Sequence, residues 1–524
     1  MNPLISCKRD VLLLGYEDEE NLGLRYIAAY LKENGVSVEI IPLRSLERDL
    51  LLNKILISEP KIIGFSMIFQ RMLPEFADLI SFLRHREVQC HFTMGGHYPS
   101  IEYKKTLDLI PGLDTIVRHE GELSLLELCR NIDDPGRWTR VKGIVFRSTE
   151  GIKLTDARPL VENLDSLPFP LRDCQARDHR GLKVSSLIAS RGCYHNCSFC
   201  SIQEFYREAP GQRRRSRSPE NVIKEMRDLF ESGTRIFIFK DDDFDMITSS
   251  QKRWIGLFAD GLKRSHLADN ILWRISCRVD ELDYEMVKLL KDVGLEFLYL
   301  GIESGSDHGL KTFNKHYKVN DVYRAIEILE NAGMDYEYGF MMFDPDSTFS
   351  SIKESMSLLR ELGRGGKRVI HFTKMFPYAG TSIHQRLENE GRLQGSLDSP
   401  NYKYLDPKMD LLEAFFSLAF YDMLFDDQGL VNRLLSAKFD SIILERFFEE
   451  SYDCERYKKD VRRLTELCNE SMLETMELSI DFMMDRSPGE IVNEWQQLQH
   501  LADQEISMQN AISYKLGQVI PDTL

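Results

Sequence analysis

The chain has 524 residues, 43% of them hydrophobic, and a formal net charge of −16. That is a globular composition, long enough for about three domains. The acidic balance argues against a general nucleic-acid binder, no apolar run reaches the ~18 residues of a membrane span, and ten cysteines in so long a chain make no disulfide scaffold.

The first segment, MNPLISCKRDVLLLG, holds only a short apolar run, Val11 to Leu14. It reads as a first strand rather than a secretory signal, and the cysteine usage fits a reducing, cytoplasmic setting. Further strands are expected at Val38–Leu43, Lys61–Ser66, Cys90–Met94 and Asp114–Val117. Between the first two, Leu22, Tyr26, Tyr30 and Leu31 recur at helical spacing, with Gly35 as a stop. Strands alternating with helices predict a doubly wound parallel sheet over residues 1–140. Its ligands would sit at the carboxyl ends of the strands. The loops there are GYEDEEN, the step at Ser66, and GGHYPS, whose Gly95 and Gly96 would let a phosphate or ring approach the backbone. A Gly-Gly pair also fits a simple tight turn.

Residues 141–182 read as a bridge, a hairpin (GIVFRSTEGIKL) followed by an extended linker with Pro159, Pro168 and Pro170. From Val184 the strand–helix rhythm resumes. Strands are expected at Val184–Ala189, Arg235–Phe239, Leu272–Cys277, Glu296–Gly301, Tyr336–Phe343 and Val369–Phe376. Six such units over 183–400 predict an open (βα)6 barrel with function at the strands' carboxyl ends. Ser218-Pro219-Glu220 is a helix start. Just before it, QRRRSR (Gln212 to Arg217) fits either a solvated loop or a site for carboxylate or phosphate groups. The strand ends carry DDDF (Asp241 to Phe244), Arg274 and Arg278, GIESGS (Gly301 to Ser306) and MMFDPDST. A buried Glu303 would need a partner. From about Tyr404 the pattern is helical only, and 401–524 reads as an all-helical region closing the open side of the barrel.

The segment RGCYHNCSFC sets Cys193, Cys197 and Cys200 in a C-x3-C-x2-C array. Thiolates are soft ligands suited to iron–sulfur clusters. Three cysteines on a four-iron cubane leave one iron open, and an open position on a metal usually means chemistry. A Cys3His zinc site using His195 and three ordinary buried cysteines are the competing readings.

This array resembles the cluster motif of the radical S-adenosylmethionine superfamily, with Phe199 as the aromatic before the last cysteine. The resemblance implies a 4Fe-4S cluster held by Cys193, Cys197 and Cys200, with S-adenosylmethionine on the open iron. It implies contacts to that ligand from Phe199, Asp241, Asp242, Arg278, Glu303 and Ser304. Relatives have G-x-P-G-E-T where this chain has FDPDS, so contacts at that strand end are in doubt. The first domain resembles the cobalamin-binding, Rossmann-like domain that precedes many such cores, through NLGLRYIAAYL, Ser66-Met67-Ile68, GGHYPS and DTIVRHEGE. That likeness points to Leu22, Ser66, Gly95, Gly96, His97, Glu120 and Gly121 as cobalamin contacts. The D-x-H-x-x-G box is missing, GYEDEENLG stands in its place, and neither His97 nor His119 reads as a cobalt ligand. The implied activity is cobalamin-dependent methylation of an unactivated carbon of a small molecule, with electrons from a flavodoxin- or ferredoxin-like donor. Rearrangement, ring contraction or cyclisation without methyl transfer is the alternative. A tRNA methylthiotransferase, lacking here a second cysteine triad and a basic tail, and a bare cofactor carrier rank below.

Overall fold

The computed structural model describes residues 8–173, 177–449 and 453–520. The opening segment before Lys8 and residues 174–176 of the bridge, on which parts of the sequence reading fall, lie outside the described residues. The strands are β1 (Val11–Gly15), β2 (Val38–Pro42), β3 (Ile62–Ser66), β4 (His91–Gly95), β5 (Thr115–Val117), β6 (Ile144–Ser148), β7 (Gly151–Leu154), β8 (Arg177–His179), β9 (Leu182–Leu187), β10 (Ser190–Arg191), β11 (Arg215–Ser216), β12 (Thr234–Phe239), β13 (Leu272–Arg278), β14 (Leu295–Glu303), β15 (Asp335–Phe343), β16 (Thr373–Lys374), β17 (Leu393–Gly395) and β18 (Pro400–Tyr402).

Two large sheets organise the chain. The first runs β2-β1-β3-β4-β5-β6-β7. Its first five strands are parallel. All five residues of β1 are buried, as expected of a parallel strand covered on both faces. The helix Leu22–Glu33 behind it is capped by Asn21, whose side chain accepts from the Leu24 amide at 3.1 Å. The hairpin β6–β7 of the bridge pairs antiparallel with β5 and extends this sheet. At the other end of the bridge, β8 pairs antiparallel with β9. Each end of the bridge is thus sewn into a sheet.

The second sheet has the order β16-β15-β14-β13-β12-β9-β8. Its six parallel strands follow one another in chain order with a helix after each, the arrangement of an opened barrel. The helix Pro219–Glu231 starts as read, with Ser218 capping and Pro219 in the first turn. The last strand is shorter than expected, only Thr373–Lys374. Val369 and Ile370 are buried but make no ladder. The Ile370 amide donates to Asn469 Oδ1 at 2.9 Å and the Val369 carbonyl accepts from the Tyr338 hydroxyl at 3.1 Å. Side chains there replace a strand partner, which satisfies the buried backbone equally well.

The C-terminal region is helical. Its helix Leu430–Phe447 sets Ile442 and Ile443 against Val184, Ile236, Leu272 and Phe297, closing the lower barrel. Each such buried aliphatic side chain stabilises by about 1.5–3 kcal/mol. The helix Pro407–Phe425 packs Phe416 on Phe343 and Phe372 at 5.2 and 5.8 Å, covering the open side beside β15 and β16. No helix among the described residues is long and apolar enough to cross a membrane.

The structure divides QRRRSR: Gln212 and Arg213 are exposed, whereas Arg215 and Arg217 face carboxylates of the chain itself. Arg215 forks onto Glu120 with N–O distances of 2.8 and 2.9 Å. Arg217 meets Glu225 at 2.5 Å, with both side chains 2% exposed. Glu225 also takes Arg172, which reaches on to Glu20 in the loop after β1. Charges so deeply buried must be paired, and here the pairing fastens the first sheet to the barrel.

Candidate active site

A cavity of about 630 Å³ lies between the carboxyl ends of the first sheet and the barrel. Leu22, Ser66, Gly95, Gly96, His97, Glu120 and Gly121 all line it. Gly96 has φ of 111°, and a Cβ there would stand 2.2 Å from the Met67 carbonyl oxygen. Only glycine lets the two loops close on each other. His97 stacks on Phe205 at 4.3 Å between centroids, with its Nδ1 3.4 Å from Ser201 Oγ. Glu120 lines the wall while its carboxylate is engaged by Arg215, Arg191 and the Val161 amide. His119 donates from Nδ1 to the Phe205 carbonyl, and its buried Nε2 has no hydrogen-bond partner. Burial lowers its pKa, so this nitrogen is a neutral acceptor at the cavity wall. The loop GYEDEEN lies at the cavity wall, with most of its acids paired. Glu17 pairs with Arg25, Glu19 with Lys240, and Glu20 accepts from the Ser186 amide and Arg172.

The cysteine loop sits between the sheets, after β10. Its three thiols are free and half-buried. Burial raises the Cys193 thiol and pushes Cys200 up to about 12, so thiolates would need a metal to hold them. Donors already face two of the sulfurs. Arg278 Nη1 lies 3.4 Å from Cys197 Sγ and the His195 amide 3.5 Å from Cys193 Sγ. Hydrogen bonds to sulfur are what cluster ligands receive. The His195 ring turns to Glu281 at 2.6 Å, which argues against a Cys3His zinc site.

The DDDF carboxylates hold this loop. Asp241 accepts from the Ala189 amide at 3.0 Å and from the Ser190 hydroxyl, and Asp242 from the Gly192 amide at 2.7 Å. Burial raises both acids, Asp241 to about 6. Their side chains therefore support the cysteine loop, and Asp242 also lines the first cavity. Arg278 is likewise engaged, with Asp280 at 3.0 Å and the Lys315 carbonyl at 2.6 Å. Ser304 is buried within the turn that opens the next helix, its Oγ accepting from the Ser306 amide.

A second cavity of about 900 Å³ opens over the barrel and runs to the helix Pro407–Phe425. Phe199 and Glu303 line it. Register pairs Gly301 with Gly339 across β14 and β15, and Gly339 leaves room under Glu303 that a Cβ would fill. Glu303 is held at φ of 66°, a strained conformation that functional sites tolerate. Its carboxylate meets Lys315 at 3.2 Å, a side chain 3% exposed. The sequence reading missed Lys315, which follows the GIESGS turn without any motif. It also missed Arg71, which lines both cavities and which nothing in its local sequence singles out.

The fold thus brings two cavities and a three-cysteine loop together. Residues 187–359 match the radical SAM superfamily and residues 9–129 the B12 binding domain. The chain thus joins a B12-binding domain to a radical SAM domain. It is 27% identical over 398 residues to an uncharacterized methyltransferase of Pyrococcus horikoshii, spanning 74% of this chain and 83% of that one. It is 27% identical over 373 residues to the hopanoid C-3 methylase of Methylococcus capsulatus, 69% and 67% of the two chains. The structure of the cobalamin-dependent S-adenosylmethionine radical enzyme OxsB with aqua-cobalamin bound shares the fold, with a TM-score of 0.72, 18% identity and coverage of 98% of this chain and 80% of that one.

Proposed function

We propose that the protein methylates an unactivated carbon of a small molecule, drawing electrons from a flavodoxin- or ferredoxin-like donor in a reducing, cytoplasmic setting. The observation that carries this reading is the adjacency of the two cavities, which share Arg71. The methyltransferase and methylase names of the two relatives favour methyl transfer. Cys193, Cys197 and Cys200 would hold the cluster. Phe199, Glu303 and the glycine floor of β14 and β15 would seat S-adenosylmethionine, and the Gly95-Gly96 turn, Leu22, Ser66, His97, Glu120 and Gly121 would seat cobalamin. Bound together, these groups supply a 5′-deoxyadenosyl radical and a transferable methyl group.

The chain's own part is placement and shielding. Arg278 and the His195 amide orient two thiols by hydrogen bonds to sulfur. Asp241 and Asp242 fix the loop that carries them. The aromatic residues of the second cavity would offer an apolar surface to the substrate.

The test is anaerobic reconstitution with iron, sulfide and hydroxocobalamin, followed by product analysis. Methyl transfer yields both S-adenosylhomocysteine and 5′-deoxyadenosine. 5′-Deoxyadenosine alone with a true substrate would refute methylation and point to rearrangement. Cys197→Ala should lose the cluster's visible absorbance and all 5′-deoxyadenosine, and a variant that keeps both would refute the cluster assignment.

A further inference from the structure

Ten of the 26 residues lining the cavity that faces the barrel are phenylalanine or tyrosine, and several of them are not buried. Tyr421 is 58% exposed, Phe425 46% and Tyr299 40%. Exposed aromatics are unremarkable when scattered singly but informative when gathered around one cavity. Tyr421 and Phe425 come from the helix Pro407–Phe425, the same helix that closes the barrel's open side. Phe376 and Tyr378 face them from the segment after β16.

The lysines and arginines around the two cavities other than Arg71 are paired with carboxylates. Lys374 pairs with Glu413 at 3.0 Å and Lys315 with Glu303 at 3.2 Å. In the first cavity Arg191 pairs with Glu120 and Glu122, and Lys240 with Glu19. Arg71 lines both cavities, and its recorded contact is with the Phe69 ring, 5.5 Å away. Among the described residues it is the lining arginine or lysine without a carboxylate. Its backbone is held firmly. The neighbouring Gln70, 1% exposed, accepts from the Ala379 amide at 2.5 Å and donates to the Leu397 carbonyl at 2.6 Å. Phe69 in turn lies against Tyr378 at 5.5 Å. A guanidinium presented from a clamped turn at the junction of two cavities is a ready anion anchor, since its planar fork fits carboxylate or phosphate.

We propose that the substrate is an amphipathic anion. Its carboxylate or phosphate docks on Arg71, and its apolar body lies among Phe376, Tyr421 and Phe425. Arg71 then positions the reacting carbon where the two cavities meet. This inference rests on the proposed two-cofactor reading of the cavities and adds the class of substrate they take.

The test uses the reconstituted holoenzyme with hydroxocobalamin and three matched probes, naphthalene-2-acetate, 2-naphthyl phosphate and the neutral naphthalene-2-acetamide, titrated by calorimetry. At least one anion should bind tenfold or more tighter than the amide, the effect of a charge-assisted contact, and the better of the two identifies the headgroup. Arg71→Gln should reduce that preference below about threefold and leave amide binding unchanged, while Arg71→Lys keeps part of it. Tyr421→Ala should weaken all three probes by a similar factor. Equal binding of anion and amide, a preference that survives Arg71→Gln, or failure of every probe to bind would overturn the proposal. The 5′-deoxyadenosine assay stands apart from these titrations. If that assay fails while the anion preference holds, the radical chemistry is refuted and the anchor stands. If the assay succeeds without a preference, only the anchor is refuted.

Discussion

Replacing Glu225 by glutamine removes a carboxylate shared by two arginines. Arg217 Nη1 meets one oxygen at 2.5 Å and Arg172 Nη2 the other at 2.9 Å. The Glu225 and Arg217 side chains are each 2% exposed, so water cannot take over the lost contacts. A hydrogen bond to a charged group contributes about 1.5–3 kcal/mol, and breaking a buried pair from one side costs about 3–5 kcal/mol. Glu225→Gln should therefore lower stability by about 3–5 kcal/mol. Urea unfolding followed by tryptophan fluorescence measures it. The double variant Glu225→Leu with Arg217→Leu should recover part of the loss, because one stranded buried charge leaves with its partner. A loss under about 1 kcal/mol, or a double variant worse than the sum of the singles, would refute the view that Glu225 anchors a buried charge network reaching the sheet domain through Arg172 and Glu20.

Two further outcomes are expected. Burial raises Glu337 from 4.5 to about 7, against the pull of Arg274, Arg368 and Lys438. An acid raised in the folded state is protonated in both states below pH 4.5, and its ionisation weighs against folding as pH climbs to 7. Wild type should thus lose up to about 3 kcal/mol relative to Glu337→Gln across that window, read as urea midpoints at pH 4 and pH 8, and parallel midpoints at both would disprove it. Gly96→Ala drives a Cβ onto the Met67 carbonyl at a backbone conformation that costs other residues about 1–3 kcal/mol. Hydroxocobalamin affinity, measured by equilibrium dialysis, should fall by about 5- to 150-fold, and unchanged affinity would remove that turn from the binding site.

Much of this was legible in the sequence. A buried parallel strand such as VLLLG is a short continuous apolar run between turn signals, and those runs located β1 to β5 and five of the barrel strands. The loops after β1, β3 and β4 converge because parallel strands end on one side, so residues as distant as Leu22 and Gly121 line one cavity. The sixth barrel strand was overread because Val369 and Ile370 are apolar and buried, and an apolar run does not reveal whether its amides meet a strand or a side chain such as Asn469. The pairing of Arg215 and Arg217 was not legible because sequence displays a charge without its partner: Glu120 lies in the loop after β5 of the first sheet, and Glu225, though near in sequence, is brought back only by the turn of the following helix. Arg71 and Lys315 escaped notice because each matters through where the fold places it.

Glu120 belongs at once to the wall of the first cavity and to the seam that joins the two sheets. Moving Glu120 to admit a ligand would also disturb its fork with Arg215, so the charges that hold the two sheets together are the same ones that keep this wall of the chamber in place.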